Sequence, residues 1–247
     1  MERAATKDAR LAVLIDADNA SAKIVDGLFE EIATLGEAGV RWIYGDFSNP
    51  RSKGWADVLA KYAIVPKQQF AYVTGKNASD ITLVIDAMDL LHSGRFDGFC
   101  LVSSDSDFTR LAQRIREEGV DVIGFGEQKT PVSFVQACRR FIYTENLLPQ
   151  SPTDTTVKAR PLKPLAEIER TLARLIAETE TDGGWIGLGE VGSKLVNLAS
   201  DFDPRSYGFK KLSDLVRASK ALELNSDGGH IRVRVRPQPA RKARPAG

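Results

Sequence analysis

Histidine and cysteine are scarce in this chain, two of each among 247 residues. Cys100 and Cys138 have no histidine at zinc-site spacing and are too few for a disulfide framework, so they read as buried free thiols. His92 and His230 lack partners for a ligand set or a nucleophile–base pair, which leaves serine- and cysteine-nucleophile chemistry unsupported. No apolar run approaches the roughly 20 residues that span a bilayer. The polar start MERAATKDAR leads straight into an apolar strand, without the core and cleavage site of a secretory signal, so a cytoplasmic protein without a membrane segment is expected. Phosphate-cradling glycine motifs are missing too. Lys76 in GKN has no upstream glycine at the GxxxxGK spacing, and Gly124 and Gly126 in IGFGE are too few for a dinucleotide fingerprint. There is no internal repeat.

What is present is an ordinary globular composition, 43% hydrophobic and 27% charged, in a length suited to one large or two modest domains. The net charge of +1 conceals a division. Residues 1–150 carry 17 basic and 21 acidic groups, a net of −4, whereas residues 204–247 carry 11 and 3, a net of +8. An acidic half needs cations before it can accept a polyanion; a basic half holds one without them.

Strands are expected at Leu11–Asp16, Val40–Tyr44, Gln69–Val73, Gly98–Ser103 and Val120–Phe125. Helices at Lys23–Leu35, around Trp55–Tyr62, at Asp80–His92 and at Phe108–Glu118 alternate with them. That order specifies an α/β fold with a mainly parallel sheet covered by helices. The proline-rich, aperiodic segment PQSPTDTTVKARPLKP then marks a linker. Beyond it, helices at Leu165–Glu178, Leu188–Leu198 and Phe209–Ala218 precede strands Ala221–Asn225 and Ile231–Val235 around the turn SDGG, the order of a winged helix. The expected organisation is a domain at 1–148, a linker at 149–163, a small α+β domain at 164–236 and a basic tail at 237–247.

Three acidic segments carry the chemistry: LAVLIDADN at 11–19, KNASDITLVID at 76–86 and FCLVSSDSDF at 99–108. The first and third are apolar runs that stop at aspartates, which in a parallel sheet gathers carboxylates at the strands' C-terminal ends, where open α/β sheets keep their sites. Asp16, Asp80, Asp105 and Asp107 around one crevice repel one another unless cations sit between them. Oxygen-only donors favour Mg²⁺ or Mn²⁺ over Zn²⁺. Asp80 starts a helix, with Ser79 as its N-cap, and the dipole there favours a carboxylate. Asp105 and Asp107 share one turn with Ser103, Ser104 and Ser106, and chain geometry needs at most one of the two. Asp18 or Asn19 reads also as a helix cap, and Asp86 and Asp89 as surface or supporting groups.

The succession IDADN, WIYGDF, KNASDITLVIDAMDLL, LVSSDSDFTRLAQRIREEGVDVIGFG and FVQACRRFIY closely resembles the NYN domain of the LabA/DUF88 group, a branch of the PIN-like nucleases. The resemblance implies a PIN-like Rossmannoid sheet with helices on both faces and a ribonuclease site dependent on Mg²⁺ or Mn²⁺. The family's acidic ligands then fall on Asp16, Asp80, Asp105 and Asp107, with Asn19 and Ser104 beside them on the substrate side. The implied reaction is in-line attack of metal-activated water on a phosphodiester, with Arg51, Lys53 and Lys76 as candidates for backbone contacts. PIN-like domains often pair, so the same resemblance raises a homodimer.

GGWIGLGEVGSKLVNLASDFDPRSYGFKKLSDLV resembles the OST-HTH/LOTUS winged helix, a module that binds RNA and, in some members, protein partners. Tyr207 and Phe209 are expected to anchor its third helix in the core. Arg205, Lys210 and Lys211 fall near that helix's start, and Arg232, Arg234 and Arg236 alternate along the last strand as a basic stripe. The leading reading is an endoribonuclease joined to an RNA holder. A noncatalytic RNA-binding adaptor is the alternative from another class, and the DxD spacing of Asp16 and Asp18 admits a haloacid-dehalogenase-type phosphatase.

Overall fold

The computed structural model describes residues 9–48, 52–68, 78–148, 162–179, 184–227 and 230–236. The chain divides into two compact units that part at residue 160, with Ala199–Asp201 counted to the first.

In the first unit, strands β1 (Arg10–Asp16), β2 (Glu37–Gly45), β3 (Val65–Gln68), β4 (Gly98–Val102), β5 (Asp121–Gly126) and β6 (Arg140–Tyr143) form one sheet. Its order is β3-β2-β1-β4-β5-β6 and every pairing is parallel. Helices α1 (Val25–Leu35), α2 (Lys53–Leu59), α3 (Ala78–His92), α4 (Thr109–Glu117) and α5 (Val132–Ala137) connect the strands. Alternation along β1 explains why both faces are covered. Leu11, Val13 and Ile15 pack with Val25, Leu28 and Ile32 of α1 and Trp55 of α2. Ala12 and Leu14 face Leu83 and Ala87 of α3, Leu111 and Ile115 of α4 and Phe134 of α5. The order reverses direction between β1 and β4, and at such a switch point the loops leaving two adjacent strands diverge and open a crevice.

The expected strand at Gln69–Val73 begins earlier in the structure, as β3 at Val65–Gln68, and residues 69–73 lie outside the described ones. The two elements closing the sheet, α5 and β6, are six and four residues long, too short for a hydrophobic period to show. The expected cap of the first helix is also displaced. A 3-10 turn at Ala22–Ile24 precedes α1, and it is Ser21, not Asp18 or Asn19, whose side chain accepts from the Lys23 N–H.

In the second unit, α6 (Leu165–Ala177), α7 (Leu188–Leu198) and α8 (Leu212–Ala218) surround a small antiparallel sheet of order β7-β9-β8, where β7 is Ile186–Gly187, β8 Leu222–Asp227 and β9 His230–Val235. The two-residue β7 is not visible as a pattern in sequence. Phe209 lies before α8, which starts at Leu212 rather than at Phe209. The intervening 3-10 turn at Pro204–Tyr207 ends on Gly208, whose φ of 87° is the left-handed conformation that glycine adopts without a Cβ clash. Most of the expected linker and the tail at 237–247 lie outside the described residues.

Two glycines set the spacing at the crevice. A Cβ on Gly45, the last residue of β2, would meet the Cβ of Ala17 at 2.9 Å, and one on Gly126, the last of β5, would meet the Ser103 carbonyl oxygen at 2.6 Å. Their bare backbones let the chain leaving β1 and β4 turn tightly against its neighbours. Gly126→Ala should destabilise the fold by about 1–3 kcal/mol through overpacking against backbone, read as a lowered denaturant midpoint; an unchanged midpoint would refute that role.

Candidate active site

Asp16 ends β1 and is only 1% exposed, the one carboxylate buried in the sheet. A buried charge requires donors, and it has four contacts. Its Oδ1 accepts from the backbone N–H groups of Asp18 at 3.0 Å and Asn19 at 3.3 Å, and its Oδ2 from Asn19 Nδ2 at 2.9 Å and Ser103 Oγ at 2.7 Å. Burial raises its pKa above the ordinary carboxylate value, and the hydrogen bonds from Ser103, Asn19 and Asp18 offset that in part. The loop carrying Asp18 and Asn19 is fastened beyond them, where the Ala20 carbonyl accepts from the buried Trp55 indole at 3.1 Å.

Ser103 joins the two strand ends. Its hydroxyl donates to Asp16 and accepts from the Asp105 N–H at 3.0 Å, which sets the acidic turn after β4 directly beside β1. Asp105 in turn caps the 3-10 turn Ser106–Phe108 by accepting from the Asp107 N–H at 2.9 Å. Ser104 has a bracing position: its hydroxyl accepts from the Glu127 N–H at 2.9 Å and ties the turn to the end of β5.

Asp80 stands in the first turn of α3. Desolvation comes first, and the carboxylates of Asp16, Asp105, Asp18 and Asp107 follow, in raising its pKa from 3.8 to about 6. The structure therefore brings together the four aspartates singled out in the sequence and adds a fifth. Asp18, read from sequence also as a helix cap, lies near α3, with Ser79 Oγ 3.5 Å from its Oδ2. The signal was its DxD spacing from Asp16, which an extended chain would send the same way. The caps missing on Asp18 and Asn19 are thus explained: one side chain faces the crevice, and the other is bonded to Asp16.

Asp86 holds α3 in place. It accepts from the buried Tyr44 hydroxyl at 3.0 Å and pairs with Lys67 at 3.2 Å, whose ammonium sits 3.8 Å from the Trp42 ring centre. This couples α3 to β2 and β3 and supports Asp80 one and a half turns away. Lys53 is an exposed residue at the start of α2, and no contact draws it to the cluster; Arg51 and Lys76 lie outside the described residues.

The donor set is all oxygen and carries an excess of negative charge, the chemistry of a hard divalent cation site. Among the described residues, however, no three carboxylate, thiol or imidazole groups converge closely enough to hold an ion as they stand. Mutual repulsion acts in that direction, and four hydrogen bonds occupy Asp16.

In the second unit, the six cations named from sequence separate into different roles. Arg205 is committed to the buried Asp203, with its Nε 3.0 and 2.9 Å from the two oxygens. Arg234 pairs with Glu223 and lies 4.4 Å from the Trp185 ring centre, while Arg236 donates to the Leu222 carbonyl at 3.2 Å. The stripe along β9 is thus partly spent on holding the wing together. Lys211 and Arg232 instead line an open cleft of about 1040 Å³, beside Trp185, His230 and a floor of Gly187 and Gly189. Lys210 is exposed, and the buried Phe202 packs against Tyr207 with ring centres 6.2 Å apart, while Tyr207 and Phe209, expected in the core, are each half-buried.

A doubly wound parallel sheet with acidic groups at its switch point, followed by a winged helix, is the build of a PIN-like nuclease domain carrying an RNA-binding module. The model of the NYN domain matches residues 10–148, and the chain belongs to that family; the OST-HTH/LOTUS domain model matches residues 163–233. NYN domains are PIN-like nuclease domains, which generally use divalent metals, and OST-HTH domains bind RNA, so this is a member of an RNA-nuclease family. The phosphatase expectation gives way to that membership. A crystal structure of a protein of unknown function from Vibrio parahaemolyticus is similar at 19% identity and a TM-score of 0.47, covering 57% of this chain and 96% of its own. No curated protein matches. Among the described residues no helix is long and apolar enough to cross a membrane.

The raised pKa of Asp80 has a stability consequence. Its protonated form favours the folded state, fully below about 3.8, and that contribution is lost as pH rises through about 6. In metal-free protein, Asp80→Asn should raise the thermal midpoint at pH 7 and flatten its change between pH 4 and 6. A lowered midpoint at pH 7 would contradict the repulsion.

Proposed function

We propose that the chain is an endoribonuclease dependent on Mg²⁺ or Mn²⁺, with its second unit holding the RNA. The carrying observation is the convergence of Asp16, Asp18, Asp105 and Asp107 on Asp80, whose carboxyl is raised to about 6 by desolvation first and by those four carboxylates after it. Structural needs explain one or two of these carboxylates, not five in one crevice of a phosphate-handling fold.

Asp16, Asp80, Asp105 and Asp107 are the side chains that would hold the cation. When bound, the cation supplies Lewis acidity toward the scissile phosphate and lowers the pKa of water. The chain's own residues prepare the site. Ser103 keeps Asp16 and the acidic turn in register, and Ser104 braces that turn from β5. Asp86 fixes the helix that presents Asp80. Asn19, whose amide donates to Asp16 Oδ2, is the proposed substrate contact beside it. Asp18 and Asp107 are exposed, so the acidic crevice is reachable from solvent.

Lys211 and Arg232 are proposed to contact phosphates in the second unit's cleft. The competing reading, a noncatalytic RNA-binding adaptor, draws on the lack of three converged ligands among the described residues. Protein partners of the second unit and pairing of the first remain separate proposals from family resemblance.

Asp105→Asn should abolish Mg²⁺- or Mn²⁺-dependent cleavage of labelled single-stranded RNA while leaving the circular dichroism spectrum intact. Cleavage that persists in chelator would overturn the metal mechanism, and no cleavage of any RNA or DNA with either metal would favour the adaptor. Replacing Lys211 and Arg232 together by alanine should weaken RNA binding and reduce the slope of log affinity against log salt by about 1.4, two single-strand phosphate contacts. An unchanged slope would remove them from the interface.

A further inference from the structure

Beside the acidic crevice, α3 leaves two large aliphatic side chains in water. Ile81 is 60% exposed and Ile85 55%, although Leu83, Ala87 and Leu90 of the same helix are buried. They line a groove of about 250 Å³ with Val84 and Phe108, and its remaining walls are the carboxylates Asp80 and Asp107. A second cavity of about 280 Å³ shares Val84 and Asp107 and runs on between α3 and α4 to Arg110 and Arg114. The two form one apolar slot, headed by two of the proposed cation ligands. Exposed aliphatic surface beside a functional site, on a helix with ample polar positions, calls for an occupant.

We infer that this groove receives the nucleobase flanking the scissile phosphate. The inference rests on the crevice being a phosphodiester site. A strand whose phosphate lies at Asp80 and Asp107 has its neighbouring nucleoside within one step of Ile81 and Phe108, because the same two carboxylates belong to both places. The aliphatic walls of Ile81, Val84 and Ile85 offer no hydrogen bond, and the polar groups stand at the slot's ends, Asp80 and Asp107 at one and Arg110 and Arg114 at the other, so the groove takes the apolar face of a base. A base paired within a duplex presents its edge and stays stacked on its neighbours, so it does not enter. A second copy of this chain is a poorer occupant, since docking there would bring two like-charged acidic crevices together.

The test uses the full-length chain with Ca²⁺ in place of Mg²⁺ and fluorescence anisotropy of eight-nucleotide RNAs. One RNA is intact, and the others carry a single abasic residue at each position in turn. Loss of one particular base should weaken binding about fivefold. Ile81→Ser with Ile85→Ser should erase that discrimination, and Ile81→Leu with Ile85→Leu should retain it; all four changes are at exposed positions and spare the core. Equal binding of every RNA by the unaltered chain would overturn the groove assignment. So would a concentration-dependent dimer, seen by sedimentation, that disappears in the serine variant. A chain that discriminates in binding yet cleaves nothing with Mg²⁺ or Mn²⁺ would refute the hydrolase reading while upholding the groove.

Discussion

A carboxylate held almost out of water at the end of an apolar strand is the constraint on which the first unit depends. Five residues before Asp16 are buried aliphatics, and they fix its position as rigidly as any core side chain. The cost of burying the charge is met locally by the two backbone N–H groups, the Asn19 amide and the Ser103 hydroxyl. Ser103 belongs to the neighbouring strand's end, so satisfying Asp16 also aligns β1 with β4. The hydrogen bonding that makes the charge tolerable thereby assembles the site.

The remaining carboxylates are then added at a disadvantage. Asp80 enters from α3 into a field already negative, and desolvation together with that field raises its pKa. The chain accommodates this because the surrounding scaffold is over-determined: two cores on the two faces of the sheet, bare glycine backbones at the ends of β2 and β5, and the Tyr44–Asp86–Lys67 connection that keeps α3 seated. Stability is given up at the crevice and recovered around it, as is common where function needs groups that repel. The cations proposed to receive a polyanion are kept in a separate unit, where Lys211 and Arg232 line an open cleft.

Much of this was legible in the residues themselves. The apolar runs at Leu11–Ile15 and Gly98–Val102 announce central strands, and their abrupt ends at acidic residues announce where a site must be. Less legible were contributions that exist only through tertiary contacts. Asp18 looks like a cap until Ser21 takes that role, and the bracing of Ser104 by the Glu127 N–H has no sign in the sequence. The arginine alternation along β9 was correct as geometry, but Glu223, Trp185 and the Leu222 carbonyl claim two of the three side chains. The short elements α5, β6 and β7 had no period to display, and the exposure of Ile81 and Ile85 on α3 shows only once the helix is docked.

The central claim is that these carboxylates form a site that demands a cation. Titration of Mn²⁺ into the purified chain, followed by electron paramagnetic resonance, tests it without requiring a substrate or a turnover. The account predicts saturable binding of one or two ions per chain at pH 7, weakening as pH falls through about 6 and lost in Asp80→Asn. Absence of saturable binding, or binding that Asp80→Asn leaves unchanged, would contradict it.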